Sequence, residues 1–149
     1  IMIARDAIVR EARRWVGTPY RHQASLRGVG VDCGGLIRGV GFQLGILDID
    51  DRAWSQIARY GRQPIPTHMG AVLTRFLDPI PAGRDGDIGD VAWIEWREDL
   101  PMHLAIRAQL DGRSTIIHAY SEPGRVVEHD FSADWQERVA SWWRYPGVD

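Results

Sequence analysis

The chain has 149 residues, of which 44% are hydrophobic, enough to fill one good core, and a formal charge of −2. A nearly balanced charge leaves no electrostatic footprint for nucleic acid or an anionic membrane, and a single cysteine excludes an internal disulfide. All 18 basic residues are arginine, which excludes Schiff-base lysine chemistry and a phosphate loop ending in Gly-Lys-Ser/Thr. Neither an apolar run of roughly 18 residues nor a signal-peptide block is present, so no membrane span and no export signal are expected.

In chain order, Ile3, Ala7, Ile8, Ala12 and Trp15 form one apolar stripe at helical spacing, closed by Gly17 and Pro19. A Gly-rich loop is expected from Arg21 to Asp32. Leu36, Ile37, Val40 and Leu44 predict a second helix beginning at or near Cys33. Its glycines at 34, 35, 39 and 41 cost helix propensity and point to close packing against a neighbour. A third helix is expected across Met69, Val72, Leu73, Phe76 and Leu77, stopped by Pro79 and Pro81. Beyond "PAGRDGDIGD" the period becomes strand-like in "VAWIEW", "MHLAIRAQ", "RSTIIHAY", "RVVEH" and "RVASWWRY". Helices followed by strands predict an α+β fold, N-terminal helices packed on a C-terminal antiparallel sheet.

Asp111-Gly112 is a strong hairpin signal. If these two residues form the loop, Leu110 pairs with Arg113, Ala105 falls opposite His118, and His103 falls opposite Tyr120. Side chains alternate along a strand, so His103 and His118 share one face as diagonal neighbours. Leu104, Ile106, Ala108, Thr115, Ile117 and Ala119 take the other face, a plausible core. One extra turn residue would separate the two histidines.

Two histidines on one face can act as a general base and its orienting partner. The thiol available to them is Cys33, at a predicted helix start, where unpaired amides and the helix dipole favour thiolate and could bind an oxyanion. An inert buried thiol remains the alternative, as does zinc held by Cys33, His103 and His118. Asp32 could simply cap the helix, and Tyr20 could simply hold its loop. "GRDGDIGD" is read as a strand-entry turn in preference to a calcium loop. His22, His68 and His129 join no constellation and are expected on the surface. Trp15, Trp93, Trp142 and Trp143 are expected in the core, and Trp54 as a cleft candidate.

"WVGTPYRH", "VDCGGLI", "GDVAWI", "HLAI" and "IIHAY" occur in the order of the NlpC-type cell-wall cysteine peptidases, a papain-like family, and the chain resembles that family over about residues 3 to 120. The "DCGGLI" form is most similar to members from phages and gene transfer agents. The resemblance implies one peptidase domain over residues 1–149, with Cys33 as nucleophile, His103 as acid/base and His118 as its orienting partner. It further implies Tyr20 beside the oxyanion or substrate, and Asp32 as a substrate contact. Many members carry serine where this chain has Gly34, so Gly34 withholds a possible substrate contact. The implied reaction is thioester-mediated hydrolysis of peptidoglycan stem peptides, usually at the γ-D-glutamyl–diamino acid bond, without metal or organic cofactor. A phage tail or baseplate in the virion, with tail proteins as partners, is the implied setting. An N-acetylmuramoyl-L-alanine amidase with the same chemistry, or a structural tail-hub domain without relevant activity, are the alternatives.

Overall fold

The computed structural model describes residues 2–47, 66–95 and 103–148, with side chains of the third helix from Gly70 onward. Helix α1 (Arg5–Arg13) buries Ile8, Val9 and Ala12, and Trp15 follows them into the core. Glu11 on the same helix is also buried, but its carboxylate accepts from Trp15 Nε1 at 2.9 Å and faces Arg14 and Arg27.

Helix α2 (Cys33–Gln43) begins at the cysteine, as expected, and its glycines are explained by contact. A Cβ on Gly35 would lie 2.0 Å from the Ala24 carbonyl oxygen, and one on Gly39 would lie 2.3 Å from the Trp15 ring. No side chain fits at either position, so glycine's helix penalty is the cost of bringing α1 and the preceding loop against α2. Helix α3 (Pro66–Phe76) covers most of the predicted third helix, with Val72 and Leu73 buried and Leu77 just beyond it.

The loop expected from Arg21 to Asp32 contains a small antiparallel ribbon, β1 (Ser25–Leu26) with β2 (Gly30–Val31). Strands of two residues carry no period that sequence could display. The main sheet is antiparallel throughout. It contains β3 (Asp78–Pro79), β4 (Val91–Ile94), β5 (His103–Leu110), β6 (Arg113–Tyr120), β7 (Arg125–Asp130) and β8 (Val139–Arg144), in the spatial order β3-β8-β4-β5-β6-β7. A short helix α4 (Ala133–Gln136) links β7 to β8. All five predicted strand segments form strands, and the α+β expectation holds.

Leu104, Ile106, Ala108, Ile117 and Ala119 join Leu36, Ile37 and Val40 of α2 in the main core. The opposite face carries a second cluster of Ala92, Ile94, Ala105, Ile116, Phe131 and Trp142. Trp15 and Trp142 are buried, whereas Trp93 and Trp143 pack half-buried against the main core. Trp54 lies outside the described residues. Among the described residues, no helix is long and apolar enough to cross a membrane.

A buried carboxylate locks α1 to the sheet. Asp90, fully buried at the entry to β4, accepts from Arg144 Nε and Nη2 at 2.9 Å each, from Arg5 Nη1 at 3.1 Å and from the Asp87 amide at 2.7 Å. "GRDGDIGD" is therefore a strand-entry turn whose deepest carboxylate is committed to arginines. Asp90→Ala would leave two partly exposed guanidinium groups without their counter-charge. We expect a loss of about 3 kcal/mol, the lower end for breaking a buried pair, in urea unfolding followed by fluorescence.

Candidate active site

The site forms where the start of α2 meets the start of β5. Cys33 is the first residue of α2 and is 6% exposed. The backbone amides of Leu104, Gly34 and Cys33 itself lie close enough to its sulfur to favour the thiolate. Leu104 immediately follows His103, so the thiol and the first histidine converge on the same end of one strand.

Asp32 is the N-cap of α2. Its Oδ1 accepts from the Gly35 amide at 2.7 Å and its Oδ2 from the Gln23 amide at 2.8 Å, with the residue 2% exposed. These bonds give it the capping role left open by the sequence. Gly34 is buried beside the thiol. Tyr20 is held between two backbones: it bridges to Val31, and its amide donates to the Gly124 carbonyl at 2.8 Å. It lies close enough to Cys33 and Asp32 for their charges to oppose its ionisation. Burial is the larger cause, and together they push its phenol well above the usual range, so it remains an O–H donor.

The β5–β6 hairpin has the predicted register, with Leu110 paired to Arg113 and Ile106 to Ile117. Asp111 and Gly112 have φ of 51° and 78°, the double left-handed conformation of a type I′ turn. His103 and His118 accordingly meet: His103 Nε2 lies 2.5 Å from His118 Nδ1. Two nitrogens on one tetrahedral zinc would stand about 3.3 Å apart, given Zn–N near 2.0–2.1 Å. The contact is therefore a hydrogen bond between the two rings, not the spacing of two zinc ligands.

The structure adds a third histidine. His118 Nε2 lies 2.7 Å from His129 Nε2, and His129 Nδ1 lies 2.9 Å from the Asp130 carbonyl oxygen. His129 was expected as an isolated surface residue; the β6–β7 register pairs it with Ile116 and sets it diagonal to His118 on the same face. Counting that second hairpin through its "SEPG" turn would have found it. Tyr120 stacks on His118 at a ring separation of 5.2 Å, and Trp135 of α4 stands 5.1 Å from both His118 and His129. His22 is exposed, as expected, and the His68 side chain lies outside those described.

No protein-family model and no curated protein sequence matches the chain. Solved structures do. The NlpC/p60 domain of the peptidoglycan hydrolase SagA aligns with 95% of this chain and 98% of its own, at TM-score 0.55 and 22% identity. An NlpC/p60 family protein from Bacillus cereus aligns at TM-score 0.65 and 19% identity over 97% of this chain, which spans 41% of that protein. An N-acetylmuramoyl-L-alanine amidase from Bacteroides uniformis aligns at TM-score 0.59 and 12% identity, over 95% of this chain and 98% of its own.

The chain has the NlpC/p60 fold. Within that α+β frame, Cys33 and the histidines occupy the junction of helix and sheet. A cavity of about 410 Å³ bordered by Arg84, Arg107, Ser114, Gln136 and Trp142 lies toward the far end of β5, away from His103.

The helix start was expected to favour thiolate, and here the structure corrects the sequence. Burial, with the Asp32 charge second, pushes Cys33 up to about 12, against three stabilising amides. Burial, with His129 second, lowers His103 to about 4, and burial with both neighbouring histidines holds His118 well below its ordinary value. The resting site is a neutral thiol facing neutral imidazoles. It suits proton transfer during attack, not a standing ion pair.

Iodoacetamide labelling of Cys33 should therefore keep rising with pH through 8; a plateau beginning near pH 5 would indicate a preformed thiolate. The histidines also set a stability slope. Their folded pKa values lie below about 6.5, so acid protonates the unfolded chain first. Their contribution is complete above pH 6.5 and is lost as pH falls toward 4. The thermal midpoint should drop between pH 7.5 and 5, less so in His103→Gln; a flat profile in the wild type would contradict this assignment.

Proposed function

We propose that the protein is a cysteine peptidase that hydrolyses peptidoglycan stem peptides through a thioester, cutting the γ-D-glutamyl–diamino acid bond. The observation that carries the proposal is the convergence of the Cys33 thiol and the His103–His118 pair on the first residues of β5, in an NlpC/p60 fold. Peptidoglycan hydrolysis is the activity named for SagA and supports the substrate class. The "DCGGLI" form of the nucleophile motif supports a phage tail or gene-transfer particle as the vehicle, with tail or baseplate proteins as partners.

The chemistry follows from the ring nitrogens. His103 Nε2 is engaged by His118, so Nδ1 is the nitrogen that takes the Cys33 S–H proton. The sulfur attacks the amide carbonyl, and the resulting oxyanion accepts from the Cys33 backbone N–H and the Tyr20 O–H. As the C–N bond breaks, the Nδ1 proton passes to the leaving amine. Water, deprotonated by the same Nδ1, then attacks the thioester and expels the thiol. Gly34 withholds the side chain with which a serine at this position would contact substrate.

The amidase neighbour favours one second reading, cleavage between the glycan and the stem peptide. Sacculi and a γ-D-glutamyl-diaminopimelate peptide, incubated with the protein, should yield new diaminopimelate amines. Release of whole stem peptides would favour the amidase. Cys33→Ala should abolish release, and His103→Ala should lower kcat about 10²-fold or more, the scale of general acid–base catalysis. Release that survives Cys33→Ala would overturn the thiol mechanism, and no release at all would overturn the proposal and favour a structural role.

A further inference from the structure

The three histidines form a chain that ends on a group able only to accept. A carbonyl oxygen cannot donate, so the 2.9 Å contact to Asp130 fixes the His129 proton on Nδ1. With His129 neutral, its Nε2 is then an acceptor, and the 2.7 Å contact requires His118 to donate from Nε2. His118 Nδ1 becomes the acceptor of the next contact, so His103 donates from Nε2. The lone pair of His103 is left on Nδ1, where the thiol proton must go. Each step follows from the one before, and the direction of the whole chain is set at its outer end.

We propose that His129 is a positioning residue that fixes the base tautomer of His103 through His118, with the Asp130 carbonyl as the anchor. Its place in catalysis rests on the acyl-transfer chemistry proposed above, but the tautomer assignment does not. Geometry supports a built relay. His118 is fully buried, and Tyr120 and Trp135 pack around the rings, limiting their rotation. His118 alone could be flipped to either tautomer without losing its contact to His103. His129 removes that freedom. When His103 accepts the thiol proton, the positive ring donates to an acceptor already oriented toward it, so little reorganisation is required.

The test is the ¹⁵N imidazole spectrum of the substrate-free protein at pH 8. We expect His129 as the Nδ1–H tautomer and both His118 and His103 as Nε2–H. His103 in the Nδ1–H form, or a mixture of its two forms, in the wild type would overturn the proposal. His129→Leu removes the acceptor and should give His103 mixed tautomers. It should also lower kcat about tenfold, part of the 10²–10⁴ that acid–base catalysis contributes, with KM unchanged. His129→Gln, whose amide oxygen occupies nearly the same reach, should restore both. Equal activity in the leucine and wild-type proteins, or a leucine variant keeping one His103 tautomer, would overturn it. If His129→Leu does not fold, the wild-type spectrum and the glutamine variant decide. Absence of any hydrolysis in the wild type would defeat the peptidase proposal while the spectrum still judges the relay.

Discussion

The Asp32 carboxylate organises the site. One oxygen caps α2 through Gly35, and the other holds the Gln23 amide, at a residue with left-handed φ of 60°. A single buried side chain thus ties the helix start to the loop that carries Tyr20. The thiol, its neighbouring amides and the phenol then have fixed relative positions before any substrate arrives. That order has an electrostatic cost: the same negative charge helps to raise the Cys33 pKa. The site keeps its geometry and gives up a resting thiolate, and the neutral histidines are matched to that state.

Much of this was legible in the sequence because it rests on local rules. Asp111-Gly112 specifies a turn, the turn specifies a register, and the register puts His103 and His118 on one face. The glycines of α2 announced close packing through their cost in a helix, and Gly35 and Gly39 supply the contacts. Thiol ionisation was not legible, because the helix start favours thiolate locally while burial, a property of the assembled core, opposes it. His129 was missed for a different reason. Its partner is reached through a four-residue turn in a second hairpin, where no loop dipeptide fixes the count as firmly.

Charged residues contribute mainly by joining segments distant in sequence. Arg13 forms a two-pronged pair with Glu128, at 2.8 and 2.9 Å, and Thr115 donates to the same carboxylate at 2.7 Å. Burial raises the Glu128 pKa, but the bonds from Arg13 and Thr115 outweigh it and hold the carboxyl below its usual value. With Asp90 at the entry to β4, α1 is clamped both to the middle of the sheet and to its β7 edge. None of these ion pairs has a sequence signature, since each joins positions about 50 to more than 100 residues apart.

The position of β8 governs how the sheet can assemble. Last of the strands in sequence, it lies between β3 and β4 and hydrogen-bonds to both. Until β8 docks, β4 is an open edge and β3 has no neighbour, so a β4–β5–β6–β7 meander that forms before it is an incomplete sheet. Pairing across some fifty residues closes slowly compared with a hairpin. During that interval, the exposed edge of β4 is where another chain could add a strand in place of β8. The half-buried arginine of β8 that reaches Asp90, Arg144, then acts as a latch: it makes the correct strand the one whose arrival neutralises a charge already waiting at that edge.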